Sequence, residues 1–401
     1  MENANDPRAL LSRLLYAGLR AVNGCKAVEH QLRLTPITGK VAVLAIGKAA
    51  ASMMQGAQNS LNQQIQTALI ITKEGYADPG LKWPCIESGH PVPNHKSLEA
   101  GDKLLDFMSN IPADTSLLAL ISGGASSLVE VLAEDCDLAF LQQMNTWLLA
   151  SGYTIHEINK IRQSVSAIKG GKALTYLPCA EMKQFLISDV ENDDIGIIGS
   201  GLFVAQQEAA SLPGLPDWLS SKLSTPPVLA DTVVHSVVIA SNEIACKAVV
   251  MEANNAGVEI TCYGQALFGD VFEKANELAL ILKQAKSGLY VWGGETTLTL
   301  PDAPGRGGRN QSLALALALE IENIPGLTVL VAATDGSDGP TEDAGAIIDG
   351  FTIKRGEQYA GQAAECLSAA NAGYCLQEAG DLISTGPTGT NVMDLVIAFK
   401  E

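Results

Sequence analysis

Val41-Ala-Val-Leu-Ala-Ile46 carries no polar side chain, is bounded by Gly39 and Gly47, and is followed at once by Lys48. A short run that is apolar on both faces reads as a strand inside a parallel sheet with helices packed above and below it. The same pattern returns at residues 68–71, 117–121, 185–187, 236–240, 258–262, 289–292 and 327–332. Helical periodicity fills the intervals at 7–22, 49–61, 97–108, 140–151, 243–254 and 271–286. Residues 313–320 alternate Leu and Ala, which could imitate a strand, but both are strong helix formers and a helix is expected. Alternation of this kind predicts an α/β protein with two domains, each a mostly parallel, Rossmann-like sheet flanked by helices.

Four of the 17 prolines fall in Ser211-Leu-Pro-Gly-Leu-Pro-Asp217 and Thr225-Pro-Pro-Val228. Proline at that density favours a linker, so one boundary is placed near 230, dividing the chain into 1–230 and 231–401. The 401 residues are long enough for two such domains.

Composition narrows the function. The net charge is −18, which argues against nucleic acid and against an anionic membrane surface. Hydrophobic residues make up 47%, enough for two cores, yet no apolar run is long enough to span a bilayer. The first twenty residues include Glu2 and Asp6 and lack a basic start with an apolar block, so no secretory signal is expected. The eight cysteines form no Cys-x-x-Cys pair and read as reduced thiols of a cytoplasmic protein.

The chemistry should lie in glycine-rich turns, because turns after parallel strands sit at the carboxyl edge where ligands bind. There are five: Ile46-Gly-Lys-Ala-Ala50, Ile121-Ser-Gly-Gly-Ala-Ser-Ser127, Gly305-Arg-Gly-Gly-Arg-Asn-Gln311, Thr334-Asp-Gly-Ser-Asp-Gly-Pro-Thr341 and Ser384-Thr-Gly-Pro-Thr-Gly-Thr-Asn391. Any one reads as an ordinary turn. Five together, in a chain with only 26 Lys and Arg, point to a ligand with several phosphates or carboxylates. The cations are placed accordingly. Lys48 follows the first strand, Arg306 and Arg309 flank a Gly-Gly pair, and Arg162, Lys169 and Lys172 share one segment. Arg162 and Lys169 are seven apart, two helical turns on one face, with a solvated helix face as the alternative.

Standard nucleotide signatures are absent. Gly39-Lys40, Gly47-Lys48 and Gly171-Lys172 are followed by Val, Ala and Ala, so there is no P-loop, and no strand ends in Gly-x-Gly-x-x-Gly. Gly124-Ala-Ser-Ser-Leu128 lacks the last glycine of a nucleophile elbow. The five histidines are scattered, which argues against zinc; His90 and His95 could line a site or serve in capping and packing. The acids of Ser188-Asp-Val-Glu-Asn-Asp-Asp194, and Asp335 with Asp338, could hold Mg²⁺ or cap helices.

On these motifs the chain resembles the class II glycerate kinases, the glycerate 2-kinase family with a C-terminal MOFRL domain. The residues that carry the resemblance are Ile46-Gly-Lys-Ala-Ala50, Gly89-His-Pro-Val-Pro93, Ser122-Gly-Gly-Ala-Ser126, His156-Glu-Ile-Asn159, Lys169-Gly-Gly171, Ile187-Ser-Asp-Val190, Gly293-Gly-Glu-Thr-Thr297 and the three glycine-rich turns of the second half. The match runs from about residue 8 to 398. The resemblance implies an active site in the cleft between two α/β domains and transfer of the γ-phosphoryl group of ATP to the 2-hydroxyl of D-glycerate, with a divalent cation such as Mg²⁺. Two positions depart from the family pattern: Leu202-Phe203 where it commonly has Pro-Thr, and Asn94 where Asp is frequent.

The family's functional lysine and arginine map to Lys48 and Arg309, and Asp189 joins them as a candidate catalytic residue. Ser122, Gly123, Gly124, Ser126, Lys169, Gly386, Thr388, Gly389, Thr390 and Asn391 are candidates for phosphate or nucleotide binding. Arg162, Glu295, Arg306, Asn310, Asp335 and Asp338 are candidates for the substrate, and Asp189 with Asp194 for the metal. ATP and D-glycerate are the expected small-molecule partners, and association into a homo-oligomer stays open. Two rivals are an NAD(P)-dependent hydroxypyruvate reductase, against which the missing dinucleotide fingerprint counts, and a non-catalytic sensor of sugar acids or nucleotides.

Overall fold

The computed structural model describes residues 6–179, 181–205, 214–223, 232–360 and 362–401. It divides into two compact units, one of residues 24–239 and one of residues 1–23 with 240–401. Residues 211–213 and 225–228, with three of the four prolines on which the linker reading rested, lie outside the described residues.

Helix α1 (Pro7–Ala21) begins at an Asp6 cap with proline at its first turn and buries Leu11, Leu14 and Leu15. Next come α2 (Gly24–Leu34), β1 (Lys40–Ile46), α3 (Ala50–Leu61), β2 (Ile65–Lys73), β3 (Cys85–Ser88), α4 (His95–Ser109), β4 (Thr115–Ile121) and the one-turn α5 (Ala125–Leu128). They are followed by α6 (Leu138–Ala150), α7 (Ile155–Val165), β5 (Glu181–Ile187), α8 (Asp217–Ser220) and β6 (Val233–Ala240). The strands form one sheet in the order β3-β2-β1-β4-β5-β6. The pairs β3–β2, β2–β1, β1–β4 and β4–β5 are parallel. Beyond Lys40, every residue of β1 is buried, as a strand covered on both faces requires. The chain leaves β1 toward β2 on one side and returns to β4 on the other, so the carboxyl ends of β1 and β4 open a crevice at a reversal of strand order.

The second unit contains α9 (Asn242–Asn255), β7 (Ile260–Gln265), β8 (Gly269–Asp270), α10 (Val271–Gln284), β9 (Gly288–Gly294), β10 (Thr296–Thr297) and α11 (Arg309–Glu320). It continues through β11 (Leu327–Ala333), β12 (Gly345–Asp349), α12 (Thr352–Ala360), α13 (Ala363–Ser368), α14 (Ala372–Ala379), β13 (Leu382–Ile383) and β14 (Asp394–Lys400). The Leu/Ala segment is helical, as expected: residues 310–318 of α11 are all buried, so both residue types face protein all round.

Two expectations need correction in detail. The two-domain α/β class holds, but the second sheet, β13-β12-β11-β14-β9-β7, is mixed. Only β7–β9 is parallel in it, whereas β13–β12, β12–β11, β11–β14 and β14–β9 are antiparallel. The cause is local: a glycine- and aspartate-rich loop, not a crossover helix, joins β11 to β12, so the strand must come straight back. The division of the chain also differs from a single cut near 230. Strand β6 joins the first sheet beside β5, moving the boundary to 239/240. Helix α1 belongs with the C-terminal half, packed on α9 and β14 and pinned there by Arg8 to Asp381. Among the described residues no helix is long and apolar enough to cross a membrane.

The turns after β1 and β4 touch. Lys48 donates its N–H to the Gly123 carbonyl at 2.9 Å, and Ala49 donates to Ser122 Oγ at 3.0 Å. Gly47 has φ +127°, and a methyl group on it would stand 2.5 Å from the Ser122 carbonyl oxygen. Gly47→Ala is therefore expected to cost about 2 kcal/mol, seen as a lower urea midpoint at unchanged slope; an unchanged midpoint would show that the two turns can part freely.

Candidate active site

In the unit of residues 24–239, the turn after β4 borders a cavity of about 310 Å³ lined in part by His90, Ser126, Glu130, Asn145, Arg162 and Lys169. Gly124 forms one wall in the left-handed conformation, φ +85°. A methyl group there would lie 2.8 Å from His90 Cδ2 and 3.5 Å from Lys48 Cγ, so both side chains crowd over this glycine. Ser126 shares a 2.7 Å hydroxyl contact with Ser200.

Charge is concentrated in the cavity wall. Glu130 and Lys169 are 1% and 2% exposed and ion-paired. Glu130 also accepts from the Ser166 hydroxyl at 2.6 Å and from the Val131 N–H at 3.1 Å. Arg162, on α7, donates to the Asn145 side chain on α6 at 3.1 Å. Burial pulls the Arg162 and Lys172 pKa values below their ordinary range, with Glu130 partly compensating. Lys172 answers that burial by donating to the carbonyls of Gln163 and Ser166 at 2.9 and 2.7 Å. Among the lining side chains one carboxylate thus stands against two cations, an arrangement that an arriving anion would complement.

Several candidates lie elsewhere or serve the frame. Ser122 is fully buried, and its hydroxyl is used in the clasp between turns. Asp189 follows β5 and does not line the cavity. Asp194 is exposed, accepts from the Gly196 N–H at 2.9 Å and lies 4.0 Å from His156. Among the described residues no three His, Cys, Asp or Glu side chains gather as a metal-binding group. Both family departures find a structural use: Leu202 and Phe203 fill the core, and Asn94 caps α4 by accepting from Lys96 N–H at 2.9 Å.

The C-terminal unit gathers a second group at the edge formed by the ends of β9 and β11 and the start of β14. Arg309, at the start of α11, makes a forked contact to Asp394, 2.7 Å from Nε and 3.0 Å from Nη2, and lies 2.8 Å from Glu295. Burial works against its charge, but Asp394 and Glu295 outweigh that and hold the guanidinium firmly protonated. Here the acids outnumber the cation, so the expected excess of positive charge belongs to the first unit. Asp338 is 2% exposed and caps α11, accepting from the N–H groups of Asn310 and Gln311 at 3.1 and 2.8 Å. Burial pushes its pKa up to about 6, against those bonds and with Asp394 adding repulsion. Asp335 accepts from the Ser337 N–H at 3.0 Å. Arg306 turns to Asp343, at 2.7 Å, and to Gln377. The 384–391 loop is laced to β11 by Thr388 Oγ1, which donates to the Thr334 carbonyl at 2.5 Å. Gly386 and Gly389 take left-handed turns of φ +64° and +74°, and Asn391 is buried. Thr390 Oγ1 and Asn310 Oδ1 are buried without a hydrogen-bond partner among the described residues.

Sequence reasoning passed over Glu130, Asn145 and Asp394 and left His90 undecided. Glu130 had one signal, a lone acid in the apolar run Leu128-Val-Glu-Val-Leu132; Asp394 likewise opens an apolar strand.

Residues 10–212 match a family model described as a domain of unknown function, DUF4147, and residues 288–394 match the MOFRL family. A glycerate 2-kinase from Pyrococcus horikoshii is 32% identical over 434 residues, covering 99% of this chain and 98% of the relative. The chain belongs to the glycerate kinase family. It is accordingly an enzyme of the kinase class. The crystal structure of a glycerate kinase from Thermotoga maritima superposes with a TM-score of 0.85 at 29% identity, covering 98% of this chain and 99% of that one. A relative from Agrobacterium vitis, 31% identical and covering 98% of this chain and 94% of its own length, is provisionally named a hydroxypyruvate reductase.

Glu130→Ala would leave Lys169 buried without its counter-charge; a loss of about 3 kcal/mol or more is expected, measured by urea unfolding. The raised pKa of Asp338 means that the folded state takes up a proton between the ordinary carboxylate range and about 6, so its contribution to stability grows as pH falls and is lost as pH rises through 6. Comparing wild type with Asp338→Asn, the balance should shift toward wild type by on the order of 1 kcal/mol from pH 7 to pH 5. A gap that ignores pH would show that the Asp338 carboxylate is not strained by burial.

Proposed function

We propose that the protein transfers the γ-phosphoryl group of ATP to the 2-hydroxyl of D-glycerate, giving 2-phospho-D-glycerate and ADP. The observation that carries the reading is the cavity of the first unit, where Arg162 and Lys169 face a single carboxylate beside Lys48 and a glycine-rich turn. Its size suits a small acid, and its charge suits a carboxylate or phosphoryl group. The names of the Pyrococcus horikoshii and Thermotoga maritima relatives, a glycerate 2-kinase and a D-glycerate 2-kinase, support the acceptor and the position of transfer.

Phosphoryl transfer asks mainly for positioning and charge neutralisation. Lys48 is assigned to charge on the moving phosphoryl group, and Arg162 and Lys169 to holding an acidic group in the cavity. Gly123, Gly124 and Ser126 would shape its floor with backbone and hydroxyl. Arg309 is the oriented cation of the other unit: its contacts to Asp394 and Glu295 use three of five N–H donors and fix the direction of the rest. The 386–391 loop, with buried Thr390 Oγ1, is assigned to phosphate; Arg306, Asn310, Asp335 and Asp338 act at greater remove, by holding loops and the start of α11.

Mg²⁺ fits the acidic turn after β5. It takes oxygen ligands, retains waters and is commonly bound by one or two carboxylates together with phosphates. The turn offers Asp189, the exposed Asp194 and a buried Asp193 oxygen without a partner among the described residues. Asp189 and Asp194 would hold the ion, which when bound would draw charge from the phosphates. The rival reductase reading, favoured by the name of the Agrobacterium vitis relative, predicts steady oxidation of NADH by hydroxypyruvate.

Phosphorus NMR of the product from ATP, Mg²⁺ and D-glycerate tests activity and position together; a 3-phospho product or none would end the proposal. Lys48→Ala and Arg309→Ala are each expected to lower turnover at least about tenfold with the fold intact by circular dichroism, and Arg309→Lys should not restore it, because lysine lacks the fork. Wild-type turnover in either alanine variant would remove that residue from the mechanism.

A further inference from the structure

The cavity needs a proton acceptor if a hydroxyl is to attack within it, and the lining narrows the choice. Two lining side chains carry a basic atom to which a hydroxyl proton could pass, Glu130 and His90. Glu130 is already committed on both oxygens: one accepts from Ser166 and Val131, the other is held by Lys169. Protonating it would strand the buried ammonium. Asp189 lies outside the lining.

His90 belongs to the same lining. It stands two residues beyond β3, half-buried, with its Cδ2–Nε2 edge over Gly124. The space it fills exists only because residue 124 has no side chain: a methyl group there would lie 3.0 Å from Nε2. Its loop is anchored at both ends. Ser88 and Ser97 share a hydroxyl contact of 3.1 Å, and the Asn94 N–H donates to Ser97 Oγ, also at 3.1 Å. Pro91 and Pro93 stiffen the segment between, and both line the same cavity.

Resting on the kinase reading, we propose that His90 is a catalytic residue, the general base that accepts the proton of the attacking hydroxyl. In the step, the hydroxyl oxygen bonds to the γ-phosphorus and the bond from that phosphorus to the bridging oxygen of ADP breaks. The leaving ADP takes that electron pair. The hydroxyl proton passes to an imidazole nitrogen of His90, and the resulting imidazolium releases it to solvent after product leaves. Of the charged groups nearby, the Lys48 stem from the β1 turn lies against the same glycine, and Arg162, Lys169 and Glu130 line the same cavity. On its own segment, Glu87 accepts from the Gly75 N–H, Lys96 is paired to Glu74, and His95 begins α4.

The test uses the full chain with ATP, Mg²⁺ and D-glycerate, comparing wild type with His90→Gln and His90→Asn. Both variants should melt within a few degrees of wild type. The expected result is a fall in kcat of about 100-fold or more, KM for the acid changed by less than about threefold, and loss of the acid limb from the kcat–pH profile. A packing role would lower stability without removing the limb. Retention of kcat within about threefold, with the acid limb intact, in either folded variant overturns the assignment of His90 alone. A wild-type protein that makes no phosphoglycerate overturns both this assignment and the reading on which it rests.

Discussion

Between Gly47 and Ser122 there is no room for a methyl group, and much of the first unit's chemistry depends on that closeness. β1 and β4 are parallel neighbours buried on both faces, so their ends are held at sheet spacing and the turns beyond them must share one small space. The space closes only when one turn brings glycine and the other offers a carbonyl and a hydroxyl as acceptors. With the clasp made, Lys48 and Gly124 have little freedom, and the imidazole of His90 lies in the gap that Gly124 leaves.

Cost and use are coupled in the cavity wall. Burying Glu130, Lys169, Arg162 and Lys172 works against folding unless each finds a partner. The structure supplies those partners: a hydroxyl from Ser166, carbonyls from Gln163 and Ser166, an amide from Asn145. Among the side chains that line the cavity, one carboxylate stands against two cations.

The C-terminal unit solves a different problem. Arg309 and Asp394 begin α11 and β14 and meet at one edge of a mixed sheet, with Glu295 from the end of β9. Carboxylates surround the arginine, so its orientation is sharply defined while its charge is largely answered within the protein. Asp338, from the loop after β11, caps the start of the same helix, and its pKa is raised first by burial and further by Asp394.

The sequence by itself determined the α/β class, the strands flanked by helices and the positions of the glycine-rich turns, because these follow from local pattern: apolar runs of strand length and glycines at their ends. It also placed Lys48, Arg162, Lys169 and Arg309 where the structure finds buried or half-buried charge. Only the tertiary structure decided which side chains face each other. Glu130, Asn145 and Asp394 belong to no motif and gain meaning solely from partners 39, 17 and 85 residues away. Tertiary packing likewise assigned α1 to the C-terminal half and turned the second sheet largely antiparallel. Hydrophobic pattern states that a face will be buried but not against what, and a charged residue's role depends on neighbours that chain order does not specify.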